Sequence, residues 1–235
     1  MYAFNSRVRY SEVDHTELMT LPALINYFQD CSTFQSEDIG LGIEVLKERG
    51  KVWVLSSWQI EVARYPKMGE RITVETWATG FDGLYGTRNF RMKDEAGNVA
   101  AYANSIWVFM DTKKNRPIRP QDEDVEAYGV EEPIDMEYAP RKIALPEKAE
   151  RGEEFPVLRS QIDTNEHVNN CQYIQMALEI MPECSRAGSI RVEYKKSAVL
   201  GDIIVPYTAV LPERKVVELC GLDGKRFAIV EFKEN

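Results

Sequence analysis

Histidine is nearly missing from this chain: its 235 residues contain two, His15 and His167. Cysteine is sparse as well. Cys31, Cys171, Cys184 and Cys220 stand far apart, with no C-x-x-C pair. A structural zinc site needs clustered Cys or His ligands, so no metal is expected, and no cofactor either. The four thiols read as free, not as the disulfide framework of a small secreted domain. No apolar run approaches the ~20 residues of a membrane-spanning helix. The opening stretch, MYAFNSRVRYSEVD, lacks the apolar core of a secretory signal, so the expected location is a cytoplasm. Basic residues are outnumbered: 29 Lys and Arg against 38 Asp and Glu leave a net charge of −9. That excludes nucleic acid as a partner, because phosphate binding needs a basic face.

What is present is ordinary globular material, 44% apolar and 29% charged, long enough to bury a core as one large domain or two small ones. Residues 20–35, TLPALINYFQDCSTFQ, put Leu21, Leu24, Phe28 and Cys31 on one helical stripe. Thr20 is placed to cap that helix and Pro22 fits its first turn. A shorter helix is expected over 42–50. The period then changes to two. WVLSSWQIEVARYP, ERITVETWATGF, YGTRNFRMKD and VAAYANSIWVFMD read as strands of an antiparallel meander, with EAGN as a hairpin turn. The second half repeats the order. NNCQYIQMALEIMP is helical and stops at Pro182. SIRVEYKKSAV, DIIVPYTAVL, KVVELCGL and RFAIVEF follow as strands, with LDGK as a turn. The class is therefore α+β. The halves match in register: Asp14 and Thr20 fall on Asp163 and Asn169 at an offset of 149, and Gly69 falls on Gly201 at an offset of 132. Between them, 112–150 is rich in Pro, Glu and Lys. It reads as a connector that either spans the far side of a sheet or packs as a lid.

Residues 161–173, QIDTNEHVNNCQY, concentrate Asp163, Asn165, His167 and two further Asn just ahead of the second helix. If that approach is extended, alternating residues point one way and three side chains face one pocket. Alone, the cluster supports a hydrolytic or binding site at a helix N-terminus, where unpaired N–H groups and the helix dipole favour negative charge. Opposite Asn165 and His167, the first half has Thr16 and Leu18. Any catalytic site is therefore single.

A long helix followed by an antiparallel meander, duplicated, resembles the double hot-dog fold. The string D-x-N-x-H-V-N-N-x-x-Y-I resembles the signature of the acyl-acyl carrier protein thioesterases, and the likeness covers nearly the whole chain. It implies two long helices, each wrapped by an antiparallel sheet. Residues 1–111 would form a non-catalytic hot-dog that shapes the acyl pocket, with Leu24 and Phe28 lining it. Residues 151–235 would form the catalytic one. The implied reaction is hydrolysis of a fatty acyl-carrier thioester to free acid and carrier. For that chemistry Asp163, the only ionised acceptor of the three, is the nucleophile or base. Imidazole exchanges a proton near neutrality, so His167 can accept one or donate to the carbonyl oxygen. Asn165 can orient a water.

One departure stands out. Relatives carry a further acid, often followed by Cys, after E-Y. Here VEYKKSA offers Ser197 in the acid's place and Ala198 in that of the Cys. Carrier proteins are acidic, so docking is expected to need a local basic patch, for which Arg191, Lys195 and Lys196, with Arg64 and Lys67 in the first half, are the candidates. Ser197, Lys195 and Lys196 thus join the expected substrate contacts, and a homodimer is compatible with the pattern. The competing readings are an acyl-coenzyme A thioesterase, a non-hydrolytic acyl-thioester-binding module, and a hot-dog dehydratase, which the HVNN setting resembles less.

Overall fold

The computed structural model describes residues 1–234. They gather into two compact units: Met1–Ser56 with Ile60–Tyr138, and Ser57–Gln59 with the chain from Ala139 onward.

The first unit opens with strand β1 (Tyr2–Arg7), then helices α1 (Leu21–Asp38) and α2 (Ile43–Glu48). Strands β2 (Lys51–Val62), β3 (Arg71–Asp82), β4 (Tyr85–Asp94) and β5 (Val99–Asp111) follow, then the short β6 (Arg116–Pro117) and helix α3 (Asp122–Val125). β1 pairs antiparallel with β3, β3 with β4, and β4 with β5, and β2 lies next to β5. The sequence reading missed β1. Its alternate residues are only half-buried, and Asn5–Ser6–Arg7 breaks the apolar pattern that marks a strand.

α1 starts where its cap residue predicts. The Thr20 backbone is extended, and its hydroxyl oxygen accepts the Ala23 N–H at 3.3 Å. The expected stripe of Leu21, Leu24, Phe28 and Cys31 is fully buried. α1 packs on β1 and β3, with the Phe28 ring 5.3 Å from Phe90 of β4 and the Cys31 thiol donating to the Val74 carbonyl. Burial pushes that thiol up to about 12, so it is inert as a nucleophile. Thr20→Ala removes the cap and should lower stability by about 1 kcal/mol. Chemical denaturation checks this, and an unchanged midpoint would mean that the 3.3 Å contact carries no weight.

The segment after β5 is bound to the first unit rather than loose over its surface. Asp124 is fully buried, and both its oxygens accept from Lys51 Nζ at 2.7 and 2.8 Å. Tyr128 packs with Leu41 and Ala78. Further on, Trp77 Nε1 donates to the Glu132 carbonyl at 2.9 Å, and Asn89 Oδ1 accepts the Ile134 N–H at 2.9 Å and the Tyr138 hydroxyl at 3.1 Å. Trp77 and Asn89 are register partners, next to the Thr76–Phe90 pair. Phe90 faces α1, and strand side chains alternate. Residues 132–138 therefore cover the face of the first unit's sheet away from α1, while Tyr128, earlier in the segment, meets Ser36 of α1 at 3.0 Å.

The second unit contains β7 (Glu150–Arg151), β8 (Phe155–Pro156), α4 (Asn170–Ile180), β9 (Ser189–Tyr194), β10 (Ile203–Val210), β11 (Lys215–Cys220) and β12 (Arg226–Lys233). Its strands run in the order β9-β12-β11-β10-β7, all antiparallel, with β8 also on β10. α4 packs on β11 and β12. The expectation of two long helices needs correction. α1 has 18 residues but α4 has 11, and α2 and α3 have 6 and 4. Pro182 explains the short second helix, because the residue before a proline is pushed out of helical geometry; Met181 sits at φ −126, ψ 70. The architecture is a mixed one of helices on large antiparallel sheet.

Candidate active site

The stretch that concentrates the polar groups is not extended. Ile162 and Val168 pair as an antiparallel bridge. The Asp163 N–H donates to the His167 carbonyl at 2.8 Å, and Glu166 N–H to the Asp163 carbonyl at 3.1 Å. Asp163 Oδ1 accepts the backbone N–H of Asn165 at 2.8 Å and of His167 at 3.4 Å. Glu166 completes the reversal at φ 62, a left-handed position that a non-glycine residue enters at a cost of roughly 1–2 kcal/mol. The spacing of two thus serves a tight loop closed by a carboxylate and not an extended ribbon. Asp163 is half-buried at its base, and Asn165 and His167 are exposed on it. Asp163 Oδ2 accepts no hydrogen bond from the described residues.

The loop is anchored on both sides. Asn169 Oδ1 caps α4 by accepting the Cys171 N–H at 2.9 Å, and the Gln172 N–H is taken by the Asn169 carbonyl. Of the first three helical N–H groups, that of Asn170 is left for a ligand among the described residues. Val168 N–H donates to the Ala198 carbonyl at 2.9 Å, and Ala198 N–H to Tyr173 Oη at 2.8 Å. The structure therefore does bring the 197–198 segment beside the loop. It also corrects the placement of Ser197, which lies past the end of β9 at Tyr194, exposed in the following turn.

Tyr173 was not singled out by the sequence reading. Burial pushes its phenol up to about 12, and the charges of Asp202 and Asp163 add to that against the opposing Ala198 N–H. It keeps its proton and serves as a post between α4 and the 198 turn. The available signal was its position four residues beyond the cap on the helix's apolar face, where a buried hydroxyl needs a partner.

The first unit holds the same loop without the same side chains. Val13 bridges Met19; Asp14 N–H donates to the Leu18 carbonyl at 3.1 Å; Thr16 N–H donates to Asp14 Oδ1 at 2.9 Å; and Glu17 sits at φ 62. Met19 N–H meets the Pro66 carbonyl as Val168 N–H meets that of Ala198, and Val8 N–H meets that of Glu70 as Val157 N–H meets that of Asp202. These pairs keep both offsets, 149 on one side and 132 on the other. The loop fold therefore needs the aspartate and tolerates Thr and Leu in place of Asn165 and His167.

The expected basic patch is largely neutralised. Arg191 Nη1 reaches Glu231 at 3.0 Å, Lys195 pairs with buried Glu193, and Arg64 binds Glu70 at 2.6 Å and Asp94 at 3.0 Å. Lys196 Nζ stands 5.7 Å over the Phe227 ring. Leu24 and Phe28 are core residues of the first unit.

Two family models match the chain in order: the acyl-ACP thioesterase N-terminal domain over residues 1–128 and the C-terminal domain over 145–220. Curated relatives include a chloroplastic palmitoyl-acyl carrier protein thioesterase of Cuphea hookeriana, 26% identical over 88% of this chain and 54% of its own length. A chloroplastic oleoyl-acyl carrier protein thioesterase of Arabidopsis thaliana is 28% identical over 92% of this chain and 65% of its own. The chain thus spans about half to two thirds of the length of these relatives. Among solved structures, an acyl-ACP thioesterase from Bacteroides thetaiotaomicron superposes with a TM-score of 0.89 at 25% identity, covering 98% of this chain and 96% of its own. The 12:0-ACP thioesterase from Umbellularia californica shares the fold, with a TM-score of 0.82 at 20% identity over 98% and 96% of the two chains. With both family domains matched in sequence order over most of its length, the chain belongs to the acyl-ACP thioesterase family.

Proposed function

We propose that this protein hydrolyses fatty acyl thioesters held on acyl carrier protein, releasing the free acid and the carrier thiol and so ending chain extension. The observation that carries this reading is the pair of equivalent loops. Both close on an aspartate and share most of their backbone hydrogen bonds, yet where the second places an amide and an imidazole, Asn165 and His167, the first has Thr16 and Leu18, its own imidazole, His15, standing at the position of Thr164. Polar groups that the fold does without in one copy are retained in the other for chemistry.

The second half carries the reaction and the first shapes the acyl site around Leu24 and Phe28. Water adds to the thioester carbonyl, the tetrahedral oxyanion collapses, and the thiolate leaves and takes up a proton. Asp163 and His167 share the activation of the water, Asp163 through Oδ2 and His167 as the proton acceptor. Asn165 orients the water. The Asn170 N–H at the start of α4 supplies an oxyanion donor, worth about 3 kcal/mol when well aimed. Ser197 and the cations Lys195 and Lys196 contact the substrate beside the loop. No second carboxylate takes part; Ser197 stands at its place in the sequence.

The test is thiol release from matched acyl-carrier protein and acyl-coenzyme A substrates, with a pH profile for wild type and His167→Ala. Carrier substrates should turn over faster, with rate falling toward acid pH. His167→Ala should lose both rate and that inflection. Tight acyl-thioester binding without thiol release would make this a binding module. Preference for coenzyme A would reassign the carrier.

A further inference from the structure

Three apolar side chains stand in water beside the catalytic loop of the second unit. Leu158 is 54% exposed, Val199 42% and Leu200 48%. They belong to one surface. β8 pairs with β10 through Pro156–Ile203, and Val157 N–H continues that ladder to the Asp202 carbonyl at 2.8 Å, which brings Leu158 alongside the Val199–Gly201 turn. The same turn follows Ala198, whose carbonyl holds Val168 of the loop.

The first unit supplies an internal control. Its equivalent turn, with the same Lys67–Glu70 hydrogen bonds that Val199 and Asp202 make, carries Arg9 where the second unit has Leu158, and Lys67 where it has Val199. All of these positions are exposed in both units. Met68, opposite Leu200, is likewise apolar and exposed, and Tyr10, beside Arg9, is 84% exposed, so the contrast between the units rests on positions 158 and 199. Leu158 and Val199, at two positions where the fold accepts Arg and Lys, are not required by the fold, and with Leu200 they mark a surface that something covers.

We infer that Leu158, Val199 and Leu200 form the lip on which the acidic carrier protein seats while its acyl thioester enters the adjoining loop; this rests on the hydrolysis of carrier-bound thioesters proposed above. The cations that border the lip argue for an acidic occupant, and apolar contact for how it is held. The chain carries −9, so an acidic partner is repelled as a whole, and Arg191 and Lys195 are already bound to carboxylates. Short-range apolar contact is not weakened by that repulsion. Exposed Arg159, next to Leu158, and Lys196, two residues before Ala198, border the lip and match an acidic surface. A lip held by apolar contact also makes binding tolerant of salt.

The test removes the apolar surface without adding charge, Leu158→Ser with Val199→Thr, compared on an acyl-carrier protein and on the acyl thioester of N-acetylcysteamine, which has no carrier. The variant should raise KM for the carrier substrate roughly tenfold, the loss of a contact above 1 kcal/mol. kcat and the turnover of the small thioester should stay unchanged, and the KM effect should persist at high salt. If that pair impairs folding, the first unit's residues, Leu158→Arg with Val199→Lys, replace it, read at high salt where their attraction for an acidic carrier is screened, with the same expectation. An unchanged carrier KM overturns the lip. So does an equal loss on both substrates, which would make the patch part of the reaction site. A change from dimer to monomer with unchanged carrier KM assigns the surface to a second copy instead, and overturns it too. A wild type that cleaves neither substrate fails the proposed activity, which is a separate result.

Discussion

Asp163→Asn should cut turnover at least ~10²-fold, the usual scale of positioned acid–base or nucleophilic help, in a protein whose fold is intact. The geometry makes this a clean removal of charge. Asp163 Oδ1 accepts the Asn165 and His167 backbone N–H groups, and an amide oxygen accepts the same two bonds. The loop closes as before, and what disappears is the anionic Oδ2. The matched control is Asp14→Asn. Asp14 Oδ1 accepts from the Thr16 N–H and hydroxyl at 2.9 and 2.6 Å in the equivalent loop, so the structural change is the same in kind. Its turnover should be largely kept. Steady-state rates with melting curves on both variants decide the matter. Equal losses in the two would reduce Asp163 to a loop closure, and a near wild-type Asp163→Asn would move the base elsewhere.

Phe28→Ala should cost about 3–5 kcal/mol of stability, since truncating a buried aromatic removes its transfer energy and leaves a cavity. The ring is fully buried on α1 and meets Phe90 at 5.3 Å. Its neighbours on the stripe, Leu24 and Cys31, are equally enclosed, so collapse to fill the gap is limited. If the first unit shapes the acyl site, the same cavity should shift product length toward longer acids. Denaturant unfolding reads the first effect and product analysis the second. A loss under ~1 kcal/mol would show that the interior relaxes freely. A full stability loss with an unchanged length profile would separate this core from the acyl site.

Much of this molecule is written locally. The stripe Leu21-Leu24-Phe28-Cys31, the caps Thr20 and Asn169, the stop at Pro182, and the period-two strands each follow from residues within a few positions of one another. The two offsets, 149 and 132, also stand in the sequence, and the hydrogen-bond pairs Met19–Pro66 and Val168–Ala198 keep them. The string from Asp163 to Tyr173 marked the candidate site. Other features required the tertiary structure. The 163–168 segment doubles back because Glu166 takes a left-handed conformation, and glutamate carries no sequence mark of that. Ser197 falls beyond β9, and Tyr173 meets Ala198 across 25 residues; neither is visible to local periodicity. Arg191 and Lys195 read as free cations until the strands set carboxylates against them. β1 gains its place only by pairing with β3. Caps and stripes are fixed by neighbours in the chain, whereas turn handedness, ion pairing and edge strands depend on groups far along it, and only the folded backbone brings those within reach.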